Sequence, residues 1–68
     1  MQIGDEVGWK WGAGIATGTI VAISTHPVKI ESNGKNITRN GTPAGPAVTI
    51  QHRSGNLVLK LVHELQRL

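Results

Sequence analysis

Two tryptophans, Trp9 and Trp11, are the only Trp, Tyr or Phe side chains among the 68 residues, and they lie two positions apart. On an extended strand, residues i and i+2 point to the same side, so both indoles share one face with Val7. An indole face attracts a cation or stacks on a nucleic-acid base, whereas a buried indole packs a core. We expect Trp9 to anchor the core and Trp11, nearer the Gly12-Ala13-Gly14 turn, to reach the surface.

The other side chains with catalytic or metal-binding chemistry are His26, His52 and His63. Their spacing fits no common metal-ligand pattern, and the chain has no Cys to complete a site. Ser, His and Asp residues are all present, but no nucleophile elbow surrounds any Ser. The sequence therefore predicts no metal, no cofactor and no enzymatic activity.

The composition indicates a small domain with a mild positive charge. Seven Lys and Arg against four Asp and Glu give a net charge of +3, which favours acidic partners, although the basic residues are scattered singly. A chain this short forms one domain, here residues 1–68. Neither a charged and apolar leader nor an apolar run of about 20 residues is present, so we expect a cytoplasmic protein without a membrane segment.

Short runs of Val, Ile and Thr between Gly and Pro residues predict an all-β domain. The first strand is expected from Glu6 to Trp11, and the second, longer strand from about Ile15 to Ser24. The apolar residues of this second strand do not follow a single period of two. We therefore predict a bulge or sharp bend near Gly18, which would let the sheet curl into a barrel.

The pair Asn33-Gly34 predicts a hairpin with a two-residue turn. This turn fixes the expected register, which pairs Ser32 with Lys35, Glu31 with Asn36, Ile30 with Ile37, Lys29 with Thr38, and Val28 with Arg39. The two isoleucines then lie on the inner face with Arg39 at its rim, while Lys29, Glu31, Asn36 and Thr38 lie on the polar outer face.

Residues 40–46 hold two Gly and two Pro residues and are expected to form a loop. A second hairpin follows, with a predicted turn at residues 53–56. That turn would pair His52 with Leu57, Ile50 with Leu59, and Val48 with Leu61, and would place these six on one face. Leu61, Leu65 and Leu68 recur at helical spacing, which predicts a short C-terminal helical turn that plugs the end of the barrel.

An ordered set of short motifs resembles one known family. The run Gly4-Asp5-x-Val7-x-Trp9-x-Trp11-Gly12 is followed by Ala16-Thr17-Gly18 and by an aliphatic run from Ile20 to Ile23. Farther along, the matching segments are Ile37 to Thr42, Pro46-Ala47, Val58-Leu59-Lys60 and Glu64-Leu65. Over essentially the whole chain, this order is similar to the hypervirulence-associated protein Tudor domain family. The resemblance implies a small five-stranded SH3-like, Tudor-like barrel.

The resemblance also implies a class of function, since Tudor-like barrels bind methylated Lys or Arg in cages of several aromatic residues. Two Trp residues cannot build a full cage within one subunit. We therefore predict a binding module for a peptide or protein at a rim formed by Trp9, Trp11, Lys10, Arg39, Asn40 and Lys60.

Two alternatives stay open. Gly4-Asp5-x-Val7, with Gly18-x-Ile20-x-x-Ile23, also resembles the KOW motif of ribosomal and transcription proteins, which implies binding to RNA or single-stranded DNA. A structural, self-associating unit is the other alternative. The sequence leaves the oligomeric state open.

Overall fold

The computed structural model describes residues 1–32 and 34–68, and its regular structure is almost entirely β. The predicted all-β class is confirmed. The strands are β1 (Glu6–Trp11), β2 (Gly14–Ser24), β3 (Pro27–Ser32), β4 (Lys35–Asn40), β5 (Ala47–His52), β6 (Leu57–Leu61) and β7 (Gln66–Arg67). A single 3-10 turn, Val62–Glu64, separates β6 from β7.

The strands form a five-stranded sheet and a separate two-stranded sheet. The larger sheet has the order β6-β5-β2-β1-β7, and every pair of neighbours in it is antiparallel. The smaller sheet is the β3–β4 hairpin, whose two strands pack against β6. The hairpin therefore covers β6. β5 lies inside the larger sheet, between β6 and β2, and its first four residues are all buried.

The core is an aliphatic cluster around one tryptophan. It consists of Val7, Trp9, Ile20, Val48 and Ile50, with the partly buried Ala16, Val58, Val62 and Leu65 packed against it. Trp9 is only 3% exposed, whereas Trp11 is 70% exposed. The expectation that Trp9 is core and Trp11 is surface is confirmed. By strand alternation Trp11 lies on the same face of β1 as Trp9, but the core cluster does not extend to it.

The β3–β4 hairpin has the predicted register. Each of the five expected pairs is observed, from Ser32 opposite Lys35 to Val28 opposite Arg39. Asn33 lies outside the described residues, and Gly34 has the positive φ of 74° that a tight hairpin turn requires. Ile30 and Ile37 are half-buried and the four predicted outer residues are exposed, so the two faces are also as expected.

The β5–β6 hairpin does not have the predicted register. Gln51, not His52, lies opposite Leu57, and Ile50 lies opposite Val58. The loop is one residue shorter than expected, because His52 lies opposite Asn56 and not Leu57. The His52 N–H donates to Asn56 O at 2.9 Å, and Gly55, with a φ of 94°, lets the chain turn within residues 53–55. A shift of one residue exchanges the two faces of a strand. Val58 therefore packs on the core instead of Leu59.

The irregularity of β2 lies at a different residue from the one predicted. The pairing with β5 shifts between Ile20 and Ala22, so the extra residue is Val21 and not Gly18. Gly18 is needed for another reason, the close approach of β5. A Cβ atom at this position would lie 2.6 Å from Ile50 Cγ2 and 2.7 Å from Gln51 O.

The C-terminal segment is helical over a shorter range than its leucine spacing predicts. The 3-10 turn covers Val62–Glu64, and the chain then extends into β7, which pairs with Val7 and Gly8 of β1. Val62 and Leu65 do pack against the core, while Leu68 is exposed. Within the described ranges, no helix is long and apolar enough to cross a membrane.

Candidate functional site

One hollow of the surface is a groove of about 430 Å³ between the β1–β2 hairpin and the C-terminal segment. Trp9, Lys10 and residues 13–15 form one wall, and residues 63–66 form the other. The groove opens here because β7 pairs with β1 only at Val7 and Gly8. Before β7, the chain lies in the 3-10 turn and no longer runs alongside β1, so a gap remains beside the second half of the strand.

The two tryptophans differ in their relation to this groove. Trp9 contributes to the groove wall although most of its indole is buried, and its ring meets that of His52 edge-on with centroids 6.2 Å apart. Trp11 lies outside the groove lining, but it is the neighbour of Lys10 in β1 and faces Gly14 across the hairpin. An exposed indole therefore stands beside the groove.

Glu64 lies in the groove wall, and together with its neighbours Arg39 and Lys60 it forms what we call the charged side of the groove. One carboxylate oxygen, Oε1, accepts the Leu61 N–H at 2.8 Å, which caps the 3-10 turn, and the other, Oε2, lies 3.9 Å from Arg39 Nη2. The Leu61 N–H is the main cause that lowers the pKa of Glu64, and the charges of Arg39, Lys60 and His63 lower it further, while desolvation acts in the opposite direction. Glu64 is therefore a carboxylate at neutral pH.

Arg39 joins the hairpin to the C-terminal segment. Its strand, β4, belongs to the smaller sheet, and its partner Glu64 belongs to the 3-10 turn. The Arg39 Nε atom is buried and has no hydrogen-bond partner among the described residues. The contact with Glu64 brings the hairpin to the charged side of the groove.

The predicted site residues fall into three groups. Trp9 and Lys10 line the groove. Arg39 and Lys60 lie near Glu64 at its charged side, and Trp11 lies beside it. Asn40 lies opposite Pro27 at the end of the hairpin and does not belong to the groove wall. The structure therefore gathers most of the predicted rim, with Asn40 apart.

Sequence reasoning missed the second wall of the groove. His63, Glu64, Leu65 and Gln66 were not among the predicted site residues, since a short apolar C-terminal segment resembles a plug and not a wall. One signal did exist, because Glu64-Leu65 belongs to the motifs that carry the family resemblance. Its spacing of three residues from Leu61 also fits a helix cap, although Leu61 lacks the hydroxyl of a typical capping box.

A second hollow of about 340 Å³ lies near the β5–β6 turn. Its wall includes Glu6, Gln51, His52 and Arg53, and none of the predicted site residues contributes to it. The His52 ring is held by its own turn, where Nδ1 accepts the Ser54 N–H at 3.2 Å and lies 2.8 Å from Ser54 Oγ. No cluster of three or more potential metal ligands occurs among residues 1–32 and 34–68.

Comparison with known proteins gives one match. Residues 4–65 match the family model described as hypervirulence associated proteins TUDOR domain. The matched range includes both walls of the groove except Gln66. No curated protein and no solved structure matches the chain.

Proposed function

Because the chain belongs to the family of hypervirulence-associated protein Tudor domains, we propose that it is a non-enzymatic module that binds a peptide or a segment of another protein. Tudor-type domains are small binding modules, and in general their partners are proteins or nucleic acids. The proposed binding site is the groove between the β1–β2 hairpin and the C-terminal segment.

The observation that carries the proposal is the exposed indole of Trp11 beside this groove. Single exposed apolar residues are common on protein surfaces, but Trp is among the residues most enriched at binding hot spots. At 70% exposure, Trp11 leaves most of a large apolar ring in water, where a partner can cover it. A groove of about 430 Å³ lies within the usual size of ligand pockets.

Two features argue against other modes of binding, a methyl-ammonium cage and a nucleic-acid interface. The chain has only two Trp and no Phe or Tyr, so one subunit lacks the aromatics for a full methyl-ammonium cage. A nucleic-acid interface needs several basic side chains that follow the phosphate backbone. Here the cations are scattered, and Arg39 already faces the carboxylate of Glu64.

The test is a selection of random octapeptides on phage against the folded domain, followed by titration of the selected synthetic peptides. We expect binding to change the Trp fluorescence and to weaken at least about tenfold in Trp11→Ala, as for a hot-spot Trp. Ile3→Ala is the matched control, because Ile3 is similarly exposed but, unlike Trp11, is not adjacent in the chain to any residue of the groove wall. Its affinity should equal that of the wild type.

Two results would contradict the proposal. One is the absence of any selected peptide whose affinity depends on Trp11. The other is tight, salt-dependent binding of single-stranded RNA or DNA oligonucleotides by a domain that binds no peptide, which would support the KOW-like alternative.

A further inference from the structure

β1 is fully paired on one side and mostly open on the other. All six of its residues pair with β2, from Glu6 opposite Thr19 to Trp11 opposite Gly14. On the opposite side, β7 pairs only with Val7 and Gly8. Among residues 1–32 and 34–68, no strand pairs with this side of β1 from residue 9 onward. This part of β1 is therefore a free sheet edge, and it coincides with the groove wall that Trp9 and Lys10 form.

The backbone groups at this free edge belong to Lys10. In an antiparallel strand, the N–H and C=O of successive residues point alternately to the two sides. Asp5 O accepts the Ile20 N–H on the β2 side at 2.9 Å, and Glu6 O faces the Leu68 N–H on the β7 side at 3.5 Å. By the same alternation, Lys10 shares the orientation of Glu6. Its N–H and C=O point away from β2 and into the groove.

The charged side chains in the groove wall are Lys10 and Glu64. Arg39 and Lys60 lie outside the wall but close enough to Glu64 for their charges to lower its pKa. The single carboxylate of Glu64 is already matched by Arg39, at 3.9 Å. The side chain of Lys10 is exposed. A partner with negative charge is therefore complementary to this surface.

We propose that the partner is an acidic peptide that binds in extended form along the free edge of β1 and exchanges two main-chain hydrogen bonds with Lys10. This inference rests on the proposed function and specifies the partner and its mode of binding. An edge strand is a template for a further strand, and such pairing is a recurrent mode of peptide recognition. The peptide occupies the place that β7 would fill if it began before Gln66. An acidic side chain of the peptide, opposite Lys10 and on its face of the sheet, contacts the ammonium group.

The first test is the composition of the octapeptides selected on phage. We expect enrichment of Asp and Glu, and weaker binding of the selected peptides as the salt concentration rises. Selected peptides that depend on Trp11 but are neutral or basic would overturn the acidic-strand inference and leave the proposed function intact. If the domain selects no peptide, both the acidic-strand inference and the proposed function are wrong.

The second test isolates the backbone of Lys10. Lys10→Pro removes the N–H that points into the groove and leaves the β1–β2 hydrogen bonds in place, since proline is tolerated on an edge strand with this orientation. Lys10→Ala is the matched control, because it removes the same charge but keeps the N–H. We expect Lys10→Pro to bind a selected acidic peptide about tenfold more weakly than Lys10→Ala does. Equal affinities of the two variants, both folded by circular dichroism, would overturn the inference.

A scan of the peptide itself gives a readout that does not depend on the folding of a variant. Single N-methylation of each peptide residue in turn should weaken binding only at the position that donates to the Lys10 C=O, and its immediate neighbours should tolerate the methyl group. Uniform tolerance would overturn the edge-strand mode. A doubled mass of the free domain in light scattering, lost in Lys10→Pro, would assign the edge to a second copy of the chain and would also overturn it.

Discussion

Separate replacement of the two tryptophans by alanine compares the same side chain at a buried and an exposed position of one strand. Trp9 is 3% exposed and packs in the core cluster, and Trp11 is 70% exposed. The two variants remove the same atoms from positions two residues apart. Any difference in stability therefore reports the burial of the ring and not its chemistry.

The expected difference follows from the buried area. With about 200 Å² per indole side chain and about 25 cal/mol per Å², the exposures of 3% and 70% correspond to about 5 kcal/mol for Trp9 and about 1.5 kcal/mol for Trp11. A chain of 68 residues has an unfolding free energy of about 3–10 kcal/mol. Trp9→Ala therefore removes much or all of the stability, and Trp11→Ala leaves a folded domain.

Urea unfolding followed by far-ultraviolet circular dichroism measures this difference without relying on the fluorescence of the removed ring. Trp9→Phe provides a milder case, with an expected loss of about 1–2 kcal/mol, in the event that Trp9→Ala is unfolded in buffer. The unfolding midpoint of Trp11→Ala should lie clearly above that of Trp9→Ala, and the midpoint of Trp11→Phe above that of Trp9→Phe. Equal midpoints for Trp9→Phe and Trp11→Phe would refute the assignment of Trp9 to the core.

Two further predictions concern packing and pH. Gly18→Ala places a Cβ 2.7 Å from Gln51 O and should lose about 1–3 kcal/mol of stability in urea unfolding. In the control Gly14→Ala, the new Cβ meets no atom within 4 Å, and we expect no loss of stability. Similar losses in the two variants would contradict the close approach of β5. The fold lowers the pKa of Glu64 below 4.5, chiefly because its carboxylate accepts the Leu61 N–H. The ionised carboxylate therefore stabilises the fold above pH 4.5, and this stabilisation is lost as the pH falls through the pKa of the folded state. Between about pH 5 and pH 3 the wild type should therefore lose more thermal stability than Glu64→Gln, and parallel pH curves would contradict this.

The two hairpins show how far local sequence determines register. Asn33-Gly34 strongly favours a two-residue turn, and the whole β3–β4 pairing follows from it. The connection between β5 and β6 has no such signal, and the positive φ of Gly55 lets the chain turn within residues 53–55, one residue fewer than expected. The hydrophobic pattern could not correct the error, because Val58 and Leu59 are neighbours and both apolar.

Leu59 also shows why burial does not reveal which face of a strand meets the core. It points away from the core cluster, yet it is only 3% exposed because its face lies under the β3–β4 hairpin. A strand covered on both sides carries apolar residues on both sides. In such a strand, alternation no longer distinguishes the core face from the other.

The candidate site was predictable to the extent that it lies on β1. The sequence pointed to Trp9, Lys10 and Trp11 because rare aromatic residues at strand spacing are a local signal. The second wall, residues 63–66, exists because the C-terminal segment begins to pair with β1 only at Gln66. The point where this pairing begins is a property of the packed chain. The contact of Arg39 with Glu64 likewise joins segments far apart in the sequence.

By itself the sequence determined the all-β class, the extent of β1, the β3–β4 register and the family, since each of these follows from local turn chemistry, strand propensity or an ordered set of motifs. The tertiary structure decided how exposed each indole is, which face of β6 meets the core, and that a groove lies beside the free edge of β1. These properties depend on where the small core ends along β1 and on where the C-terminal segment begins to pair with β1. Such distances between segments are fixed only when the chain packs.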